Sequence, residues 1–202
     1  MRALTTVLMV IGAIAIIFFL FLVMGYFLFS LSPAIKSEMR ISPVTYDAVQ
    51  SFDNKVDEFK TEIKDAVAAE NNKEVTLEIT EEEINSKIVE LLAEGELPCR
   101  DLLVNFEDDY CWTFAIMNNR GVDAKIGLIT QFDVEEGKVD VVVEDFSLGK
   151  LPLPKSVDDR VSSLLDLVWM SQGPFEELPF EITYISIDKG SITIDGVTEG
   201  AK

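Results

Sequence analysis

The sequence predicts an α+β protein: one apolar N-terminal helix, then an antiparallel β-sheet packed against two or three α-helices. Three observations carry this expectation. No charged side chain occurs between Arg2 and Lys36. Beyond that run, stretches with apolar residues three and four apart alternate with stretches of period two, the repeats of helix and strand. Successive strand-like stretches are joined by short turns without crossover helices, which calls for antiparallel pairing.

Leu4 to Leu31 is dominated by Leu, Ile, Val, Phe, Met and Ala. A bilayer core of about 30 Å takes roughly 20 apolar residues as helix, and backbone groups in lipid must bond within the segment, so helix is expected. Gly12 and Gly25 are compatible with such a span. Ser32-Pro33-Ala34 offers a signal peptidase small residues, but cleaved signals have apolar cores of roughly 7–15 residues. A retained signal-anchor is therefore expected over residues 1–35, contacting the lipid bilayer through residues 4–31. Arg2 on one side is balanced by Lys36 and Arg40 on the other, so flanking charge sets no orientation. A short N-terminal tail and the cysteines discussed below point to a cytoplasmic N-terminus and an extracytoplasmic C-terminal domain on the cell membrane.

Ser42-Pro43 reads as N-cap and first helical residue. Val49, Phe52, Val56, Phe59, Ile63 and Ala66 then form an apolar stripe on a helix reaching about Glu70. Residues 36–72 are expected as a juxtamembrane amphipathic helix, packed on its own domain or pairing chains as a coiled coil. Residues 73–202 follow as the α+β domain. Glu74 to Ile79 alternates as a half-buried strand, and Thr80 with Glu83 forms a capping box for a helix ending at Gly95. The acids Glu81, Glu82 and Glu83 suit the positive end of the helix dipole. Strands are expected over Leu102–Phe106, Trp112–Met117, Val122–Val134 and Val139–Phe146, the last two turning at Glu135-Glu136-Gly137-Lys138. After the break Leu148-Gly149-Lys150-Leu151-Pro152-Leu153-Pro154, a helix runs from about Lys155 to Met170, with Val157, Val161, Leu164, Leu165 and Val168 inward. Gly173-Pro174 precedes a hairpin of Phe180–Ile187 and Ser191–Val197 across Asp188-Lys189-Gly190.

Three stretches resemble the YpmS-like family of small membrane-anchored bacterial proteins. They are Leu77-Glu78-Ile79-Thr80-Glu81-Glu82-Glu83-Ile84-Asn85, Phe146-Ser147 followed by the Leu148–Pro154 break, and the closing hairpin with Asp188-Lys189-Gly190. The break is the most specific of the three. The family is in turn similar in architecture to TULIP-like lipid-binding folds. That resemblance implies a curved antiparallel sheet around a long helix and a lipid-like ligand between them.

The residue inventory narrows the chemistry. Residues 1–40 hold three of the 17 basic and one of the 36 acidic side chains, leaving 14 and 35, a net of −21, for residues 41–202. Such a field repels nucleic acid and favours cationic partners. The chain has no histidine, which removes Ser-His-Asp and Cys-His catalysis and imidazole metal ligation. No phosphate-cradling glycine loop or calcium-binding loop pattern occurs. Trp112 and Trp169 sit within apolar patterns and read as core. No catalytic, cofactor-binding or metal residue is expected. Cys99 and Cys111 read as a disulfide closing a short loop, worth about 3 kcal/mol in the chain-entropy model and fitting an oxidising compartment; buried free thiols are the alternative. A non-enzymatic interaction or structural module is expected, such as an accessory subunit of a membrane complex or an envelope component, with a protein partner in or at the membrane. The alternatives are a binding module for a lipid or other apolar ligand and, more remotely, a carboxylate-dependent hydrolase.

Overall fold

The computed structural model describes residues 2–119, 121–135, 137–172 and 179–198. In chain order its elements are α1 (Arg2–Ser30), α2 (Ile35–Glu38), α3 (Tyr46–Ala68), β1 (Glu74–Thr80), α4 (Glu81–Glu94), β2 (Asp101–Glu107), β3 (Tyr110–Asn119), β4 (Val122–Glu135), β5 (Lys138–Leu148), α5 (Ser156–Gln172), β6 (Phe180–Asp188) and β7 (Ser191–Thr198). The fold is α+β with antiparallel pairing throughout. The strands form two sheets, ordered β1-β7-β6 and β2-β3-β4-β5.

α1 follows directly from its composition. Its 29 residues extend about 43 Å at 1.5 Å per residue, and among the described residues one helix, this one, is long and apolar enough to cross a membrane. From Ile16 to Phe27 its large apolar side chains stand in the open, Phe21 at 70 % exposure.

α3 begins later than the sequence suggests. Thr45 is the N-cap, its hydroxyl accepting the Ala48 N–H at 3.1 Å. Ser42 gives its hydroxyl to the Glu81 carboxylate instead; a tertiary partner wins over the local cap. The stripe lies where the spacing places it, with Val49, Phe59, Ile63 and Ala66 buried and Phe52 and Val56 half-buried. It packs on its own domain. Phe59 and Ile63 meet Val75, Leu77 and Ile79 of β1 and Ile194 of β7, joined by Val139 and Val141 from β5. The Phe59 and Phe180 rings stand edge to face at 5.4 Å. Residues 46–68 thus contribute their apolar stripe to the domain core.

α4 opens with the full capping box expected of Thr80 and Glu83 and ends at Gly95 with φ 76°. Its Ile88 packs on Val104 and Phe106 of β2 and on Cys111 of β3. α5 lies against β5, where the Ser162 hydroxyl accepts the Val143 N–H at 2.9 Å. The single curved sheet of the expectation is two sheets tied at their tips. Gly190 N–H donates to Phe106 O at 3.1 Å and Asp109 N–H to Ile187 O at 3.0 Å, and Glu81 N–H donates to Gly190 O at 2.8 Å. Trp112 is half-buried beside Phe114. The Gly173-Pro174 break, Glu136 in its turn, and the side chains of Leu164, Val168 and Trp169 lie outside the described residues.

Candidate functional site

The most elaborately built region is the joint between α1 and the four-stranded sheet. A helix leaves its last carbonyls without intrahelical partners. Here the domain supplies two. Lys150 N–H donates to Leu28 O at 2.8 Å, and the Lys125 ammonium donates to Ser30 O at 3.0 Å. The peptide contacts come from the Leu148–Pro154 segment, read from sequence only as a break. Gly149 sits at φ +60°, and a Cβ there would meet Leu28 O at 2.6 Å and clash with Phe29 O as well. Only glycine lets the two backbones approach so closely.

Beyond α1 the chain becomes a strap across the outer face of the same sheet. Pro33, Ile35 and Met39 are buried, and Ile35 and Met39 pack on Phe114 among Leu103, Trp112, Ile116 and Ile129. A Cβ on Gly127 would meet Ile35 Cγ2 at 2.5 Å and Pro33 Cβ at 3.1 Å, so this glycine makes the groove in which the strap lies. The Lys36 ammonium stands 4.4 Å from the centre of the Phe114 ring, a cation–π contact.

The strap ends in a polar clasp. Arg40 N–H donates to Asn105 Oδ1 at 2.6 Å, and Asn105 Nδ2 donates back to Arg40 O at 3.1 Å. The Arg40 guanidinium reaches Glu81 at 2.9 Å, Glu107, and Phe106 O at 3.0 Å. Glu81 also accepts the Phe106 N–H at 3.1 Å. Two residues on, Glu83 accepts from Lys55 at 2.9 Å, Ser51 at 2.5 Å and Thr80 N–H at 2.8 Å. Burial pushes the Glu83 carboxyl up, but the donors from Lys55, Ser51 and Thr80 outweigh it and hold it below the usual carboxylate range. Among the described residues no buried side-chain nitrogen or oxygen lacks a partner. These carboxylates are saturated by neighbours that fix them, the signature of a structural network.

Cys99 and Cys111 are free thiols, so the expected disulfide is not formed. The register gives the reason. Asp101 pairs with Ile116 and Phe106 with Cys111, so Cys99 lies beyond the Asp101–Ile116 end of the pair. Cys111 and Ile116 are five strand steps apart, about 16 Å at roughly 3.3 Å per residue, whereas a disulfide needs Cα atoms about 4.4–6.8 Å apart. Burial pushes the Cys111 thiol up to about 11, against weaker opposing bonds to Thr113 and Thr130; burial, then Asp101, raises Cys99. Both are poor nucleophiles near neutral pH.

Two other places bear on ligands. The space between α3 and the sheets, where the lipid-binding analogy puts a ligand, is filled by Phe59, Ile63 and their neighbours. A groove of about 850 Å³ runs along the solvent side of α3, walled by Asp57, Glu58, Glu62 and Asp65 with Lys73 at its end. It is an acid-lined trough that offers an acyl chain little. Among the described residues no group of three or more cysteine and carboxylate side chains is placed to hold a metal ion. The chain matches no protein-family model and no curated protein.

Sequence reasoning missed the joint. Gly149 and the acids of the α4 cap were visible, but each had a sufficient local explanation, and Gly127, whose neighbours are the Ile35, Ser147 and Pro33 side chains, carried no local signal.

Proposed function

We propose that the protein is a non-enzymatic, single-pass membrane protein whose acidic domain serves as an interaction or structural module, held at the membrane surface in a fixed attitude. The observation that carries this reading is the joint. A domain tethered only for retention needs a loose linker, yet here the helix end is capped by the domain's own backbone and the strap is clasped along its length. Such rigidity serves a partner that must be met at a set height and angle, as in an accessory subunit of a membrane complex. The chain's net charge of −19 favours a partner with a cationic face. Placement of the domain outside the cytoplasm is part of the proposal; the free thiols withdraw the redox argument for it, and protease accessibility decides it.

Affinity purification of the full chain in mild detergent is expected to return the same membrane protein repeatedly. Recovery of the lone chain in every preparation overturns the module reading. Protease added to intact cells is expected to remove the domain, and cleavage only after lysis would place it inside.

A further inference from the structure

We infer that the membrane-facing end of the domain carries a seat for the phosphate of an anionic phospholipid headgroup, formed by Lys36 and Lys150 at the exit of α1. The inference deepens the proposed function and rests on the membrane reading of α1. A recess of about 290 Å³ opens beside the last turn of α1, lined by Leu31, Ser32, Pro33, Lys36, Ser37 and Lys150. Its position follows from the joint. Lys150 N–H is bonded to Leu28 O, so the recess lies within a turn of the exposed apolar helix, at the depth of the headgroups.

Its chemistry is that of an anion site. Among the described residues neither lysine is in a salt bridge with a carboxylate; Lys60, Lys64, Lys155 and Arg160 are free of one as well, so it is the recess beside the end of α1 that sets Lys36 and Lys150 apart. Lys36 is held over the Phe114 ring, which positions the ammonium without neutralising it. Lys150 is exposed and attached to a backbone that the Gly149 contact fixes. Lys125 adds positive charge beside the recess, already committed to Ser30 O and facing Asp123. The nearest acid on the strap is Glu38, exposed and at the far end of α2. In a chain of net charge −19, this end is where an anionic surface is attracted and the acidic remainder is repelled. Lysines at such a surface each favour anionic lipid by about 5-fold.

The test uses the full chain in nanodiscs of equal phosphatidylglycerol and phosphatidylcholine, released for native mass spectrometry. The wild type is expected to retain phosphatidylglycerol over phosphatidylcholine by about 25-fold, and Lys36→Gln with Lys150→Gln together to bring the ratio near one. The paired Lys→Arg variant is expected to keep the preference. Equal retention by the wild type, or an unchanged preference in the double Gln variant, overturns the seat. Loss of the preference on adding millimolar inorganic phosphate also overturns it, because the site would then take free anion. Should the Gln variant not fold, the wild type alone decides: its preference must fall as salt rises, and a salt-independent preference overturns the seat. Failure of the chain to enter nanodiscs at all would instead refute the membrane reading of α1, a separate result.

Discussion

Two seams hold helical chain to sheet in this molecule, and they are made of different materials. Along α3 the seam is apolar and cut from a periodic stripe, with Phe59 and Ile63 buried against β1 and β7. From the end of α1 through the strap the seam is mixed: Ile35 and Met39 pack on Phe114, but backbone groups are bonded at both ends, Lys150 N–H to Leu28 O and Asn105 to both backbone groups of Arg40. An apolar seam resists separation but tolerates sliding and repacking, because dispersion contacts have little direction. A seam of backbone hydrogen bonds fixes register and angle. The first gives the domain its stability and the second sets the angle between the domain and α1.

Substitutions can separate the two. The largest effect is expected from Phe59→Ala, which empties a site 3 % exposed and should lower domain stability by about 3–5 kcal/mol in denaturant melts. The angle between α1 and the domain should be unaffected while the domain stays folded. Asn105→Ala leaves both backbone groups of Arg40 without their partners and should cost about 1–3 kcal/mol, with a broadened distance distribution between spin labels on α1 and on β6. Gly149→Ala should cost about 1–2 kcal/mol for the left-handed backbone and broaden that distribution further, since its Cβ collides with helix backbone that cannot yield. If Gly149→Ala leaves the distribution narrow, the strap alone sets the angle.

Acid probes the corner where both seams meet α4. Glu83 has a folded-state pKa below its unfolded value, so its contribution is complete above the unfolded value, near 4.3, and is lost as pH falls through the folded one. Glu83→Gln should therefore lower stability by about 1 kcal/mol at neutral pH and flatten the acid limb of the melting profile below about pH 4.3. The smallest effect is expected at the cysteines. Alkylation of the unfolded, unreduced chain should label both Cys99 and Cys111, and prior reduction should leave the melting temperature unchanged.

The apolar seam was legible in the sequence because its information is local and periodic. The six stripe residues of α3, the alternation of β1 and the capping box of α4 each fall within a few turns of chain. The mixed seam was not. Glu81 meets Arg40 and Phe106 across 41 and 25 residues, and the helix dipole already explained an acid at that position. Gly149 read as punctuation because its partner, the backbone at Leu28 and Phe29, lies far back in the chain. The disulfide expectation failed for the same reason: loop length suggested closure, while the strand register carries the two sulfurs apart.

Between Ser30 and Ile35 the chain has no slack. Four residues make the passage, Pro33 among them buried, and the groove over Gly127 receives them at once. A hinge needs residues whose backbone can rotate without losing contacts, and this passage has no such stretch. The short passage therefore ties the direction of the helix axis to the attitude of the acidic trough on α3.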